Sequence, residues 1–177
     1  KLHSFSDGWR HLRFMMLYKP VPFLLVPGTL VFLLGVLLSL TILLWGDSGT
    51  SRMHSVIFSS ILVIIGVQTI AHGIYLTAYA VVQGLCEKEG FIKKLLEYHS
   101  LEKELIVGIA LLLVGLAIGV KVVLTWMSVG FGSLSEVNNA VMAMVLAAIG
   151  IQLIFTAIFL SVLLLERGET ESQDVIT

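Results

Sequence analysis

Asp7-Gly-Trp-Arg-His-Leu-Arg-Phe-Met-Met-Leu-Tyr-Lys-Pro-Val-Pro22 stands directly before a run that carries no charge until Asp47, and this junction decides the fold. Arg10, Arg13 and Lys19 lie among Trp9, Phe14 and Tyr18. Rings with an apolar body and a polar edge settle at the headgroup level of a bilayer, and cations beside them attract lipid phosphates. At the helical advance of about 100° per residue, Phe5, Trp9, Leu12 and Met16 fall near one face, while Lys1, Arg10 and Arg13 fall near the other. The pattern predicts a short amphipathic helix on a membrane surface. Pro20 and Pro22 are expected to end it and turn the chain into the bilayer.

Composition points the same way. The chain is 57% hydrophobic and 13% charged, with a mean hydropathy of +0.98, whereas a soluble domain is about a quarter charged. A net charge of −1 gives no footprint for nucleic acid. The lone Cys86 excludes an internal disulfide and a cysteine-rich metal site. Residue 1 is lysine, and no signal peptide precedes the first apolar run, so the chain is read as part of a longer protein.

Four spans follow the arm of residues 1–20. The first runs from Val21 to Trp45 and the second from Ser55 to Leu85, together a hairpin over 21–85. The third runs from Leu105 to Trp126 and the fourth from Ala140 to Leu165, a second hairpin over 105–165. Each is long enough for a bilayer core that needs about 20 residues. Residues 86–104 form a charged loop with its own amphipathic segment, Phe91-Ile-Lys-Lys-Leu-Leu-Glu-Tyr98, and residues 166–177 an acidic tail expected to be disordered. Nine lysines and arginines fall on one side, in the arm, the 86–104 loop and the tail; Arg52 and Lys121 fall on the other. The positive-inside rule then places both termini in the cytoplasm of a bacterial-type inner (plasma) membrane.

The two hairpins repeat. Pro27-Gly-Thr-Leu-Val-Phe-Leu-Leu-Gly35 aligns with Val107-Gly-Ile-Ala-Leu-Leu-Leu-Val-Gly115, and Ile65-Gly-Val-Gln-Thr-Ile70 with Ile149-Gly-Ile-Gln-Leu-Ile154. The surface segments align too, Arg13 over Lys93 and Tyr18 over Tyr98. The expected fold is an all-α integral membrane protein: two parallel-repeated transmembrane hairpins, each preceded by an amphipathic interfacial helix, about a pseudo-axis along the membrane normal.

Small residues recur seven apart: Gly28 and Gly35, Gly66 and Gly73, Gly108 and Gly115, Gly150 and Ala157. Such stripes let helices approach where lipid supplies no hydrophobic drive. The partner helix can belong to this chain or to a second copy, which leaves a homo-oligomer open. Gln68 and Gln152, at equivalent repeat positions, are expected to pack and hydrogen-bond between helices. His72, Tyr75 and Tyr79 have no such counterparts: Thr156, Phe159 and Leu163 stand in their places. With Gln68 and Gln83 they form a polar, aromatic stripe on the second span. An intramembrane ionisable group there is either a contact for a ligand or a neutral histidine bonded to a neighbouring helix. Lys121 reads as a snorkelling anchor. Arg10, Arg13 and Lys19 fit either an anchor for anionic lipid or a site for one lipid phosphate, for which arginine's fork is suited. No phosphate loop, paired intramembrane carboxylates, catalytic triad spacing or metal cluster is present, so no catalytic residue and no metal ligand is assigned.

The strings Phe5-Ser-Asp-Gly-Trp-Arg-His-Leu-Arg-Phe14, Leu17-Tyr-Lys-Pro20 and Phe23-Leu-Leu-Val-Pro-Gly28 resemble the junction in bacterial family 2 glycosyltransferases of the polyprenyl (dolichyl) phosphate sugar synthase type. The likeness continues through Tyr79-Ala-Val-Val-Gln-Gly84, Ser100-Leu-Glu-Lys-Glu104, Gly130-Phe-Gly132, Ile149-Gly-Ile-Gln152 and Phe159-Leu-Ser161. It implies a parent enzyme that moves a sugar from a nucleotide donor to polyprenyl phosphate. A divalent metal, Mg or Mn, is expected in a soluble domain ahead of Lys1, since the Asp-x-Asp motif of such domains is not in this sequence. This chain would then anchor the enzyme and hold the acceptor lipid. Arg10, Arg13 and Lys19 would meet the phosphate, and Trp9, His72, Tyr75 and Tyr79 the lipid. The rival reading is a non-enzymatic four-helix membrane protein, a lipid-linked-sugar flippase subunit or an assembly partner.

Overall fold

The computed structural model of the chain describes residues 3–44, 53–85, 101–131 and 137–174. All regular structure among them is helical. Helix α1 covers His3–Tyr18; α2 opens with a π turn at Val21–Leu25 and continues over Val26–Leu44; α3 covers Met53–Val82, α4 Leu101–Ser128 and α5 Val137–Asp174. The apolar stretches of α2 to α5 are 24, 30, 28 and 29 residues long. At 1.5 Å per residue each exceeds a hydrocarbon core of about 30 Å. These are four membrane-spanning helices.

The arm does not turn away at the prolines. Lys19 alone interrupts the helix, its N–H still bonded to the Met15 carbonyl at 2.9 Å, and Pro20 already has helical angles of −65° and −29°. Proline opens a helix readily because the N–H it lacks would be unsatisfied there. The π turn has a similar cause. Pro22 and Pro27 supply no N–H, and the Pro27 ring would crowd the carbonyl four residues back. The Val26 N–H bonds to the Val21 carbonyl, five residues back, and the wider turn absorbs the conflict.

Other boundaries differ from the sequence reading. Helix α4 begins at Leu101 rather than Leu105, taking Glu102 and Glu104 into its first turn, where carboxylates favour the positive helix end. Helix α5 begins at Val137 and runs to Asp174, so the segment after Leu165 is helical to that point and not a disordered tail. Its glutamates and arginine are good helix formers and extend the helix beyond the apolar span. Trp45 and the amphipathic segment at 91–98 lie outside the described residues.

The helices pack in the order α2, α3, α5, α4, so the second helix of each hairpin sits at the centre. Within the hairpins the repeat reaches atomic contacts. A Cβ on Gly66 would come within 2.5 Å of the Phe32 backbone, and one on Gly150 within 2.5 Å of the Leu112 backbone nitrogen. Gly28 faces Ile70 as Gly108 faces Ile154, and Gly35 faces Val63 as Gly115 faces Ala147. Backbones touch at these points because no side chain intervenes. The glycine stripes therefore join helices of one chain. Between hairpins, α3 and α5 run parallel and meet through Ile74, Ala78 and Leu160, the last two fully buried.

The C-terminal ends of α3 and α4 close alike. Leu85 N–H bonds to the Ala80 carbonyl and Gly84 N–H to that of Val81, with Gly84 at φ +66°. At the end of α4, Phe131 N–H bonds to Trp126 and Gly130 N–H to Met127, with Gly130 at φ +68°. The rings of Trp126 and Phe131 stack edge to face at 5.0 Å across that turn. This is the Schellman pattern with its apolar contact, and glycine is favoured where φ is positive.

Candidate functional site

An open groove of about 650 Å³ runs along α3. Four residues of the polar stripe, Gln68, His72, Tyr75 and Tyr79, line it at intervals of one helical turn. Its walls come from three other elements: Met16 near the end of α1, Leu24 in the π turn and Leu163 on α5. The π turn matters here, because it sets Leu24 beside the groove while Leu25 abuts Gly73. Most of the lining is apolar, with the polar atoms confined to one line.

Those polar atoms are held in place. His72 Nδ1 lies 2.6 Å from the Gln68 backbone carbonyl. The Tyr75 hydroxyl donates to Thr156 Oγ1 on α5 at 2.8 Å, and the Thr156 hydroxyl donates to the Gln152 carbonyl at 2.7 Å. Tyr75 also meets His72 and Phe159 edge to face, each at 5.9 Å. The second hairpin therefore fixes a side chain of the groove that the first hairpin builds.

Antiparallel pairing within the first hairpin gives the depth of each residue. Gly28 opposite Ile70 and Gly35 opposite Val63 set a register that carries Lys19 to the level of Tyr79. The groove thus starts beside the cationic end of α1 and descends from Tyr79 past Tyr75 and His72 to Gln68, about 16 Å at 1.5 Å per residue. Arg10, Arg13 and Lys19 are exposed on or just after α1, and Arg13 is one turn before Met16. Trp9 is half exposed on the same helix and does not line the groove. Gln83 lies beyond the groove, in the turn closing α3.

One expected bond is not formed. Among the described residues Gln68 and Gln152 do not pair: Gln68 is exposed and lines the groove. The contacts joining α3 to α5 are made by Tyr75, Ile74 and Ala78 with Thr156, Phe159 and Leu160, C-terminal to both glutamines. Nothing in the sequence marks Met16 and Leu24 as groove walls, and Leu163 has only its place opposite Tyr79 in the repeat. Thr156 had one signal, its place opposite His72 in the repeat. Among the described residues no three His, Cys, Asp or Glu side chains converge as metal ligands.

Residues 74–164, just over half the chain, match the family described as "Glycosyltransferase family 2 C-terminal transmembrane region". The chain belongs to that family. The matched stretch of this glycosyltransferase transmembrane region takes in the upper groove at Tyr75, Leu76, Tyr79 and Leu163, the α3–α5 seam and the second hairpin as far as Leu164. The chain is also similar to "Low-salt glycan biosynthesis hexosyltransferase Agl6" of Haloferax volcanii, with 33% identity over 164 residues. That alignment covers 90% of this chain and 39% of the hexosyltransferase, so the chain spans about two fifths of that relative's length. No solved structure matches.

Proposed function

We propose that this transmembrane region seats the acceptor lipid of a glycosyltransferase that moves a sugar from a nucleotide-sugar donor to polyprenyl phosphate. The prenyl chain lies in the α3 groove, and its phosphate enters at the groove mouth, drawn in by Arg10, Arg13 and Lys19 to the level of Tyr75. Donor and divalent metal belong to a catalytic domain preceding Lys1 in the same protein, and both ends of the chain described here face the cytoplasm. The observation that carries this reading is the groove itself. An apolar trough with one polar line leads along α3 from Gln68 to Tyr79, which is level with Lys19 at the end of α1, and this matches a long hydrocarbon ending in one anionic group. Membership of a glycosyltransferase family and the printed activity of the hexosyltransferase relative supply the reaction class.

Photolabelling tests it. Polyprenyl phosphate carrying a diazirine in its chain, photolysed with the protein in nanodiscs, is expected to label α3 between Gln68 and Tyr79. Excess unlabelled polyprenyl phosphate should displace the label, and polyprenol should not. Label spread evenly over the outward leucines of α2 and α4 refutes the assignment.

A further inference from the structure

We propose that His72 and Tyr75 make the groove selective for a phosphate monoester over a phosphate diester, an inference that rests on the acceptor reading above. A backbone carbonyl can only accept a hydrogen bond, so the 2.6 Å contact to Gln68 requires the proton on His72 Nδ1. In the neutral ring Nε2 is then a bare acceptor. Tyr75 has one hydroxyl proton and spends it on Thr156, whose own proton goes to the Gln152 carbonyl. The Tyr75 oxygen has only lone pairs left. Two neighbouring residues of the groove are therefore fixed as acceptors, each by a relay ending on a helix carbonyl.

Such a pair calls for a ligand that brings a proton. A phosphate monoester does so, because its second ionisation falls at about pH 6 and its monoanion keeps one P–O–H. That hydroxyl donates to His72 Nε2 or to the Tyr75 oxygen. If the proton passes to the imidazole, Nε2–H donates back to the dianion, and the number of protons is unchanged. A diester has no such proton: it meets two sets of lone pairs, and leaving polar groups unpaired is costly. Ordinary membrane phospholipids are diesters, and so is the glycosylated lipid that transfer would produce. The same two residues would thus exclude bulk lipid and release product. Tyr75 lies one turn, about 6 Å, below the level of Lys19, and the long stems of the cations let their charges descend towards a phosphate there.

Thr156 is a positioning residue in this scheme. It is 1% exposed and reaches the ligand only through Tyr75. Thr156→Val removes the acceptor for the tyrosine proton, and the freed hydroxyl can then donate to a diester. Thr156→Ser keeps the relay.

The test is binding of two probes to the chain in nanodiscs, a long-chain prenyl phosphate and its methyl ester. Wild type is expected to prefer the monoester by about tenfold, the worth of one hydrogen bond to a charged group. Thr156→Val and His72→Phe should each shrink that ratio towards one, and Thr156→Ser should retain it. Wild type binding both probes equally, or Thr156→Val keeping the full ratio, overturns the selection while leaving the groove as a lipid seat. Binding of neither probe overturns the seat and the selection together.

Discussion

Replacing Gly66 by alanine should open the first hairpin. The added Cβ would stand 2.5 Å from both the nitrogen and the Cα of Phe32, whereas ordinary contact begins at 3.4 Å. Neither atom can swing aside, since both are helix backbone, so α2 and α3 must separate locally by about 0.9 Å, the difference of those distances. A gap of that size forfeits a quarter to a half of each neighbouring dispersion well, and overpacking generally costs about 1–3 kcal/mol. The upper end is expected, because lipid offers no hydrophobic drive to close the gap again. Gly150→Ala, 2.5 Å from Leu112, should cost as much in the second hairpin. Gly119→Ala is the control: its Cβ meets only the Ala143 methyl at 3.9 Å, so the better helix propensity of alanine, up to about 1 kcal/mol, is left uncompensated. Reversible unfolding in mixed micelles, followed by tryptophan fluorescence, reads all three. Gly66→Ala as stable as wild type, or Gly119→Ala as damaging as Gly66→Ala, refutes the packing argument.

Gly73→Ala should fall between these, because its Cβ meets the flexible end of Leu25 at 2.8 Å, which can move; the same unfolding measurement ranks it. In a Cys86→Ser background, Ser128→Cys should react with an impermeant thiol reagent added outside intact cells and Gln83→Cys should not; reversed labelling would invert the orientation. Arg10→Lys and Arg13→Lys keep the charge and lose the bidentate fork. In the proposed full-length transferase they should raise the KM for polyprenyl phosphate or lower kcat, with membrane insertion unchanged, whereas a plain lipid anchor, at about 1 kcal/mol per cation of either kind, leaves the kinetics as they were. Tyr75→Phe removes the bond to Thr156 while keeping the ring against Phe159, and should cost the fold about 1 kcal/mol, measured in the same micelles.

The spans and the glycine stripes were legible because lipid imposes coarse rules: length, apolarity, and small residues where helices touch. Side-chain partners follow finer geometry. Repeat equivalence predicts a Gln68–Gln152 bond, yet the α3–α5 seam is made about one to three turns further on, so Gln68 is left facing the groove. Met16 read as one more apolar residue of the surface helix. That it walls the groove depends on α1 running on into α2 with only Lys19 between them, where two prolines suggest a sharper turn. The end of α5 was misread for a related reason, since acidic composition argues for solvation and says little against helix.

The duplication also separates scaffold from site. Where the glycines of the two copies agree, they hold helices together: Gly66 on Phe32 and Gly150 on Leu112 are one contact made twice. Where they diverge, at His72 and Thr156, Tyr75 and Phe159, and Tyr79 and Leu163, all six residues lie in the groove or against it. A symmetric pair of grooves would need histidine and tyrosines on both central helices, and each would then lack the small buried partner that the other requires. Thr156 can take the Tyr75 proton only because it is not itself a histidine, and Phe159 can brace that ring only because it brings no hydroxyl of its own to satisfy. Divergence of the second copy is thus the condition for the fixed polar line in the first, and the chain builds one furnished groove from two repeated hairpins.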